Sequence, residues 1–292
     1  STDFYHLTRQ LSEAVEAGSS CLHLAQRKKT LADWLEILQP DAEGSAVCSP
    51  GGHAPLVFTK NGHLYLQRYY LHELGIFEKV SQWLEQPIDK ISAVTKKKFN
   101  ALFAQKDQQS QAAETALQRR FTIISGGPGT GKTTTVLKIL MLLREQGYYR
   151  DPNDVLLLAP TGKAADRLRQ SIVGGLNDLG ELATTDWPQK TSTIHRTLGY
   201  RPGSIEFRHH AENPLAAKVV VIDESSMVDL PLMHRLLDAI PATARIILLG
   251  DKNQLASVQV GTVLSDMMEA AANSQHVLKE CSVTLHKSYR TQ

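Results

Sequence analysis

The stretch that most constrains this chain is Gly126-Gly127-Pro128-Gly129-Thr130-Gly131-Lys132-Thr133. The apolar, β-forming run Phe121-Thr122-Ile123-Ile124-Ser125 precedes it, and Thr134 to Leu140 follows at helical spacing. Strand, glycine-rich loop, helix is the context of a phosphate-binding loop. Glycines let several backbone N–H groups curl toward one anion, and the helix start adds partial positive charge. In such a loop Gly126 to Thr134 line the phosphates, Lys132 reaches the β- and γ-phosphates of ATP, and Thr133 holds Mg²⁺.

Two further acids fit the same chemistry. Val219-Val220-Val221-Ile222 is a buried-strand run that delivers Asp223 and Glu224 to its carboxyl end. Open α/β sheets bind ligands at that edge. Asp223 is placed to hold Mg²⁺, and Glu224 to deprotonate an attacking water. A kinase is disfavoured, because it has no use for a water-activating base there. Arg245 to Gly250 reads as another buried strand, ending in a polar loop where Gln254 is a candidate sensor of the γ-phosphate. Ser282 to Leu285 reads as one more strand, leading to Arg290, a candidate stabiliser of phosphoryl-transfer charge.

The remaining pieces set these in order. Phe4, Leu7, Leu11, Ala14 and Val15 recur at helical spacing, with Gly18 as a stop. Thr30 caps a helix carrying Leu31, Trp34, Leu35 and Leu38. Residues 41–55 read as a loop, and Asn61-Gly62 between two apolar runs signals a hairpin. A helix with Leu74, Val80 and Trp83 follows, then a helical, basic segment from Ile91 to Arg120. Within that segment Gln109 carries an amide able to donate to and accept from an adenine edge. Val155 to Ala159 suits a buried parallel strand. Thr161 and Lys163 open the next helix, and Thr193 and His195 a later one, where hydroxyls and helix-start N–H groups suit a phosphodiester backbone. Residues 174–190 read as a mobile loop and 200–210 as a protruding hairpin. His53, His63 and His72 lack metal-ligand spacing and read as surface or packing residues.

Bulk properties narrow the class. The 292 residues are 42% hydrophobic, enough for a large core and for two domains. A net charge of +2 gives no global call for nucleic acid, so any such surface is a local patch. Cys21, Cys48 and Cys281 are scattered and read as small buried hydrophobes in a reducing compartment. No apolar run reaches membrane-spanning length and no signal peptide stands out, so a cytoplasmic location is expected. The chain starts at Ser1 and stops after Tyr289-Arg290-Thr291-Gln292, which reads as a fragment of something longer.

At this point the residues resemble a family. Gly126–Thr133, Pro160–Ala165, Thr193–Arg196, Ile222–Glu224, Gly250–Leu255 and Ser288–Arg290 look like motifs I, Ia, Ib/Ic, II, III and IV of superfamily 1 DNA helicases, in order. Ser125–Thr135, Arg208–Leu215 and Asp223–Met227 resemble the RecD family most, the alpha subunit of bacterial exonuclease V (RecBCD). The resemblance implies a 5′→3′ ATP-driven motor that works on single-stranded DNA with RecB-like and RecC-like subunits in double-strand-break repair. It implies adenine contact by Gln109, nucleotide roles for Lys132, Thr133, Asp223, Glu224, Gln254 and Arg290, and DNA contact by Thr161, Lys163, Thr193 and His195.

The expected fold is α/β. Residues 96–292 form a first RecA-like P-loop domain with a mostly parallel sheet, and residues 1–95 a small α+β domain for partner contact. Motifs V and VI, and with them a second motor domain, are absent from this sequence, so weak hydrolysis and no unwinding are expected of it alone. A loader or remodeller ATPase, and a scaffold subunit with a vestigial site, are the alternatives. The Pro160–Ala165 and Gly250–Gln254 clusters count against the first, and intact Lys132, Asp223 and Glu224 against the second.

Overall fold

The computed structural model describes residues 2–24, 29–179, 187–188, 190–201, 203, 206–251, 254, 260–273 and 275–287. They divide into two compact units. One holds residues 1–77 with 229–234 and the described part of 256–262, and the other holds most of the rest.

In the first unit, α1 (Thr2–Glu16) leads through Gly18, at φ +93°, into the short strand β1 (Cys21–His23). Helix α2 (Leu31–Leu38) starts on a capping box in which Thr30 and Asp33 satisfy each other's backbone N–H groups. Strands β2 (Val47–Cys48), β3 (Leu56–Phe58) and β4 (His63–Leu66) complete a sheet of order β1-β4-β3-β2. β3 and β4 form the hairpin expected around Asn61-Gly62, with Gly62 at φ +78°. The loop expected over 41–55 contains β2, whose two residues pair parallel with β3. A strand that short has no periodicity to read. Leu7, Leu11, Leu22, Trp34, Phe58 and Leu64 are among the residues of its core, and the Trp34 indole N–H donates to the Leu24 carbonyl at 3.2 Å.

Helix α3 (Gln67–Leu84) begins in this unit and ends in the second. There α4 (Ala93–Leu102) and α5 (Gln108–Gln118) precede β5 (Phe121–Gly126), α6 (Lys132–Glu145) and β6 (Val155–Ala159). Next come α7 (Gly162–Asp178), β7 (Thr191–Thr193), α8 (Ile194–Leu198), β8 (Val219–Ile222) and α9 (Leu230–Ala239), whose residues up to His234 count with the first unit. The last elements are β9 (Arg245–Gly250), α10 (Val263–Ala272) and β10 (Ser282–Leu285). The six strands pair in the order β10-β5-β9-β8-β6-β7, every pair parallel.

β5, β8 and β9 are buried at every position, as expected of central parallel strands whose residues read as continuous apolar runs. Helices cover the sheet, with α5 packed on α6 and β10, and α6 on α7. The expectation of a loop from residue 174 is corrected. Helix α7 runs to Asp178, because Ile172 and Leu176 stay in phase with Ala165 and Leu168 on its buried face and outweigh the local Gly174-Gly175 pair. Residues 180–186 and 189 of that stretch lie outside the described residues, as do 202 and 204–205 of the expected hairpin. Of the hairpin's described part, His210 bridges antiparallel to Asn213.

Candidate nucleotide site

Parallel pairing puts the carboxyl ends of all six strands on one edge. Glycine conformations shape the loop there. Gly129 and Gly131 have φ of +80° and +82°, and Gly131 is the left-handed N-cap that starts α6. At Gly126 a Cβ would come within 2.7 Å of Thr130 Oγ1 and 3.0 Å of the Leu285 carbonyl, so the loop closes tightly on β10. Thr130 Oγ1 donates to the Gly127 carbonyl at 2.8 Å, and Thr135 Oγ1 to that of Gly131 at 2.9 Å. The Lys132 ammonium donates to the carbonyls of Gly126 and, at 3.1 Å, Gly127. It lies against the loop it follows. Thr133 is half-buried in the first turn of α6, while Thr134 and Pro128 are exposed.

β9 separates this loop from the acids, and Asp223 continues β8, its N–H donating to the Leu158 carbonyl at 2.8 Å. Asp223 Oδ1 accepts the Glu224 N–H at 2.9 Å. Burial pushes the Asp223 carboxyl up to about 6. The Glu224 N–H pulls it back, the Glu224 charge pushes it further up, and Lys132 pulls it down. Glu224 sits at φ +52°, in the left-handed region that costs a residue with a Cβ about 1 kcal/mol or more.

Between loop and acids stands Asp251, which directly follows β9 and is 6% exposed. A Cβ on Gly127 would lie 3.8 Å from its Oδ2. In sequence Asp251 is marked by nothing more than its position directly after a fully apolar strand. Gln254 is exposed, with its N–H donating to the Asp251 carbonyl at 3.1 Å. Gln109, on α5, donates through Nε2 to the Thr130 carbonyl at 3.2 Å, which ties it to the loop. Arg290 lies outside the described residues.

The residues expected at DNA stand further along the same edge. Thr161 follows β6 and caps α7, accepting the Ala164 N–H at 3.2 Å, with Lys163 exposed in the first turn. Thr193 ends β7 and caps α8, accepting the Arg196 N–H at 3.2 Å. His195 is exposed and meets Phe207 edge to face at 5.8 Å. Hard oxygen donors, Asp223 and the Thr133 hydroxyl, suit a magnesium-type cation, and a buried carboxyl raised by desolvation gains most from one.

The all-parallel sheet, the loop leading into α6 and the paired acids two strands away define a RecA-like P-loop nucleotide-binding domain. Residues 109–260 match the AAA domain family. The chain belongs to that family and is a RecD-family member of superfamily 1. The RecBCD enzyme subunit RecD of Mycolicibacterium smegmatis is 37% identical over 268 residues, 88% of this chain and 47% of the relative. That of Haemophilus influenzae is 39% identical over 228 residues, 74% and 35% of the two chains. The ATP-dependent RecD2 DNA helicase of Deinococcus radiodurans is 36% identical over 165 residues, 56% and 20%. The chain therefore spans about half, or less, of the length of these relatives. The Pif1 helicase of Candida albicans covers 63% of this chain and 40% of its own at 18% identity and a TM-score of 0.36, too slight a likeness to bear on site or mechanism. No described helix is long and apolar enough to cross a membrane.

Proposed function

We propose that the chain carries the Walker A and B half of the ATP site of a cytoplasmic 5′→3′ DNA helicase subunit, one that works with RecB-like and RecC-like partners in double-strand-break repair. The observation that supports this is the sheet order: the glycine-rich loop with Lys132 follows β5 and the Asp223–Glu224 pair follows β8, on one edge with only β9 between them. The loop N–H groups and the start of α6 hold the phosphates of ATP, and Lys132 exchanges the Gly126 and Gly127 carbonyls for phosphate oxygens. Asp223 and Thr133 hold Mg²⁺, which when bound neutralises charge on the β- and γ-phosphates. Glu224 accepts a proton from the water aimed at the γ-phosphorus. Gln254 and Arg290 respond to the γ-phosphate, and Gln109 reads adenine.

Thr161, Lys163, Thr193 and His195, at the β6 and β7 end of the edge, contact the backbone of single-stranded DNA. Binding there is sequence-tolerant and weakens with salt. The 1–95 segment serves partner contact in this reading. The test is ATP hydrolysis by the full-length protein with and without single-stranded DNA. The proposal expects stimulation by DNA and loss of turnover in Lys132→Ala. Turnover that ignores both DNA and Lys132→Ala overturns it.

A further inference from the structure

We propose that Cys21, His23 and His63 form a binding site for a borderline transition-metal cation, zinc foremost, on the outer strand pair of the N-terminal sheet. The three offer one sulfur and two ring nitrogens whose ligand atoms all lie within 4.8 Å of one another. Backbone geometry brings them together. Cys21 and His23 are two apart on β1 and so share a face of the sheet. The antiparallel register sets His63 of β4 directly opposite His23. Their imidazoles stand 4.4 Å apart, centroid to centroid, at 70°. Cys21 Sγ lies 3.6 Å from His23 Nε2.

That last spacing suits an S–H···N hydrogen bond and a shared cation alike. Zn–S and Zn–N bonds of about 2.3 and 2.0 Å at a tetrahedral angle put sulfur and nitrogen roughly 3.5 Å apart. One edge of the coordination polyhedron is therefore already at length. The other two edges close with shifts of about 1–1.5 Å, shared by rotations of the exposed His23 and the half-buried His63 side chains. Cys21 is 8% exposed and His63 half-buried, so two ligands are held by packing and the third opens to solvent. Three protein ligands leave a fourth position for water. The donor set is soft to borderline, unlike the oxygens at Asp223, and selects zinc over magnesium.

The site has structural work to do. β1 is a three-residue strand at the edge of its sheet, paired among the described residues with β4 alone. A cation shared by Cys21, His23 and His63 clamps those two strands. Its binding free energy then becomes folding free energy for the N-terminal unit. The proposal is independent of the nucleotide site.

The test is titration of the full chain with Co²⁺ under reducing conditions, followed by displacement with Zn²⁺. One equivalent of Co²⁺ should give tetrahedral d–d bands and a near-ultraviolet thiolate charge-transfer band, both bleached by Zn²⁺. Cys21→Ser should abolish the charge-transfer band and Cys48→Ser should keep it. His23→Asn, at an exposed position, should weaken Co²⁺ at least 10-fold with an unchanged far-ultraviolet circular dichroism spectrum. No charge-transfer band at saturating Co²⁺, a band that survives Cys21→Ser, or undiminished affinity in His23→Asn would each reduce the cluster to an S–H···N hydrogen bond beside two packed imidazoles.

Discussion

Gln109 Nε2 donates to the carbonyl of Thr130 at 3.2 Å, so a side chain of α5 buttresses the phosphate loop 21 residues downstream. This uses one of the two amide hydrogens. The other hydrogen and Oε1 are the donor and acceptor that the N7 and N6 atoms of adenine require. Gln109→Ala is expected to weaken ATP by about 10-fold and GTP by less, since a bidentate base contact is worth about 1–3 kcal/mol. Competition of the two nucleotides for the full-length protein measures it. Equal losses would assign Gln109 to loop support alone.

Asp223 makes a pH-dependent prediction. An unfolded aspartate titrates near 3.8, and burial in the folded chain lifts Asp223 to about 6. Between those values the folded protein keeps a proton that the unfolded chain has released. Stability is therefore lost as pH rises through that window, by about 3 kcal/mol in all. Asp223→Asn keeps an oxygen for the Glu224 N–H and removes the charge. In chelator, it should exceed the wild type by about 2–3 kcal/mol at pH 8 and lose that advantage below pH 4. Adding Mg²⁺ should stabilise the wild type and leave Asp223→Asn unmoved. Denaturant unfolding at the two pH values checks the sign.

Glu224 combines a left-handed backbone with the carboxyl proposed as the general base. Glu224→Gln keeps the left-handed φ of +52° and the shape of the side chain while removing the base. ATP binding should persist and turnover should fall by about 10²–10⁴-fold. Glu224→Gly removes base and strain together, so it should lose turnover equally and gain about 1 kcal/mol of stability. A Glu224→Gln enzyme that turns over normally would remove Glu224 from catalysis.

Much of this is legible in the sequence, for a physical reason. β5, β8 and β9 are uninterrupted apolar runs, and a strand buried on both faces needs nothing else. The loop after β5 and the acids after β8 could be placed because each directly follows such a run. β1, β2 and β7 were invisible, since two or three residues define no period, and their pairing with distant strands is what makes them strands. For the same reason His63 read as isolated. Its neighbours Cys21 and His23 are remote in sequence and meet it only through register. The left-handed backbone at Glu224 left no composition signal, and neither did the burial of Asp251 against the loop.

Arg245 is the sharpest example, and it carries a prediction. It opens the run read as a buried strand, where a cation is unexpected, and it is 3% exposed. Its NH1 donates to the carbonyls of Ala116 at 2.9 Å and Arg119 at 2.7 Å, at the C-terminal end of α5, where helix carbonyls lack partners. NH2 pairs with Asp89, and the guanidinium lies 3.8 Å from the Tyr148 ring centroid. Burial lowers its pKa, and contact with Tyr148 and with the Asp89 carboxylate opposes that, so part of its desolvation cost is offset by this set of partners. Removing the cation leaves the Ala116 and Arg119 carbonyls without their buried donor and the half-exposed Asp89 carboxylate without its partner. Arg245→Ala is expected to cost about 3–5 kcal/mol. Arg245→Lys should recover less than half, because an ammonium cannot span both carbonyls and Asp89 while stacking on Tyr148. Asp89→Asn, whose partner stays hydrogen-bonded to Ala116 and Arg119, should cost less than Arg245→Ala. Urea midpoints of the three variants test the order, and an Arg245→Ala chain within 1 kcal/mol of wild type would show that water replaces the guanidinium there.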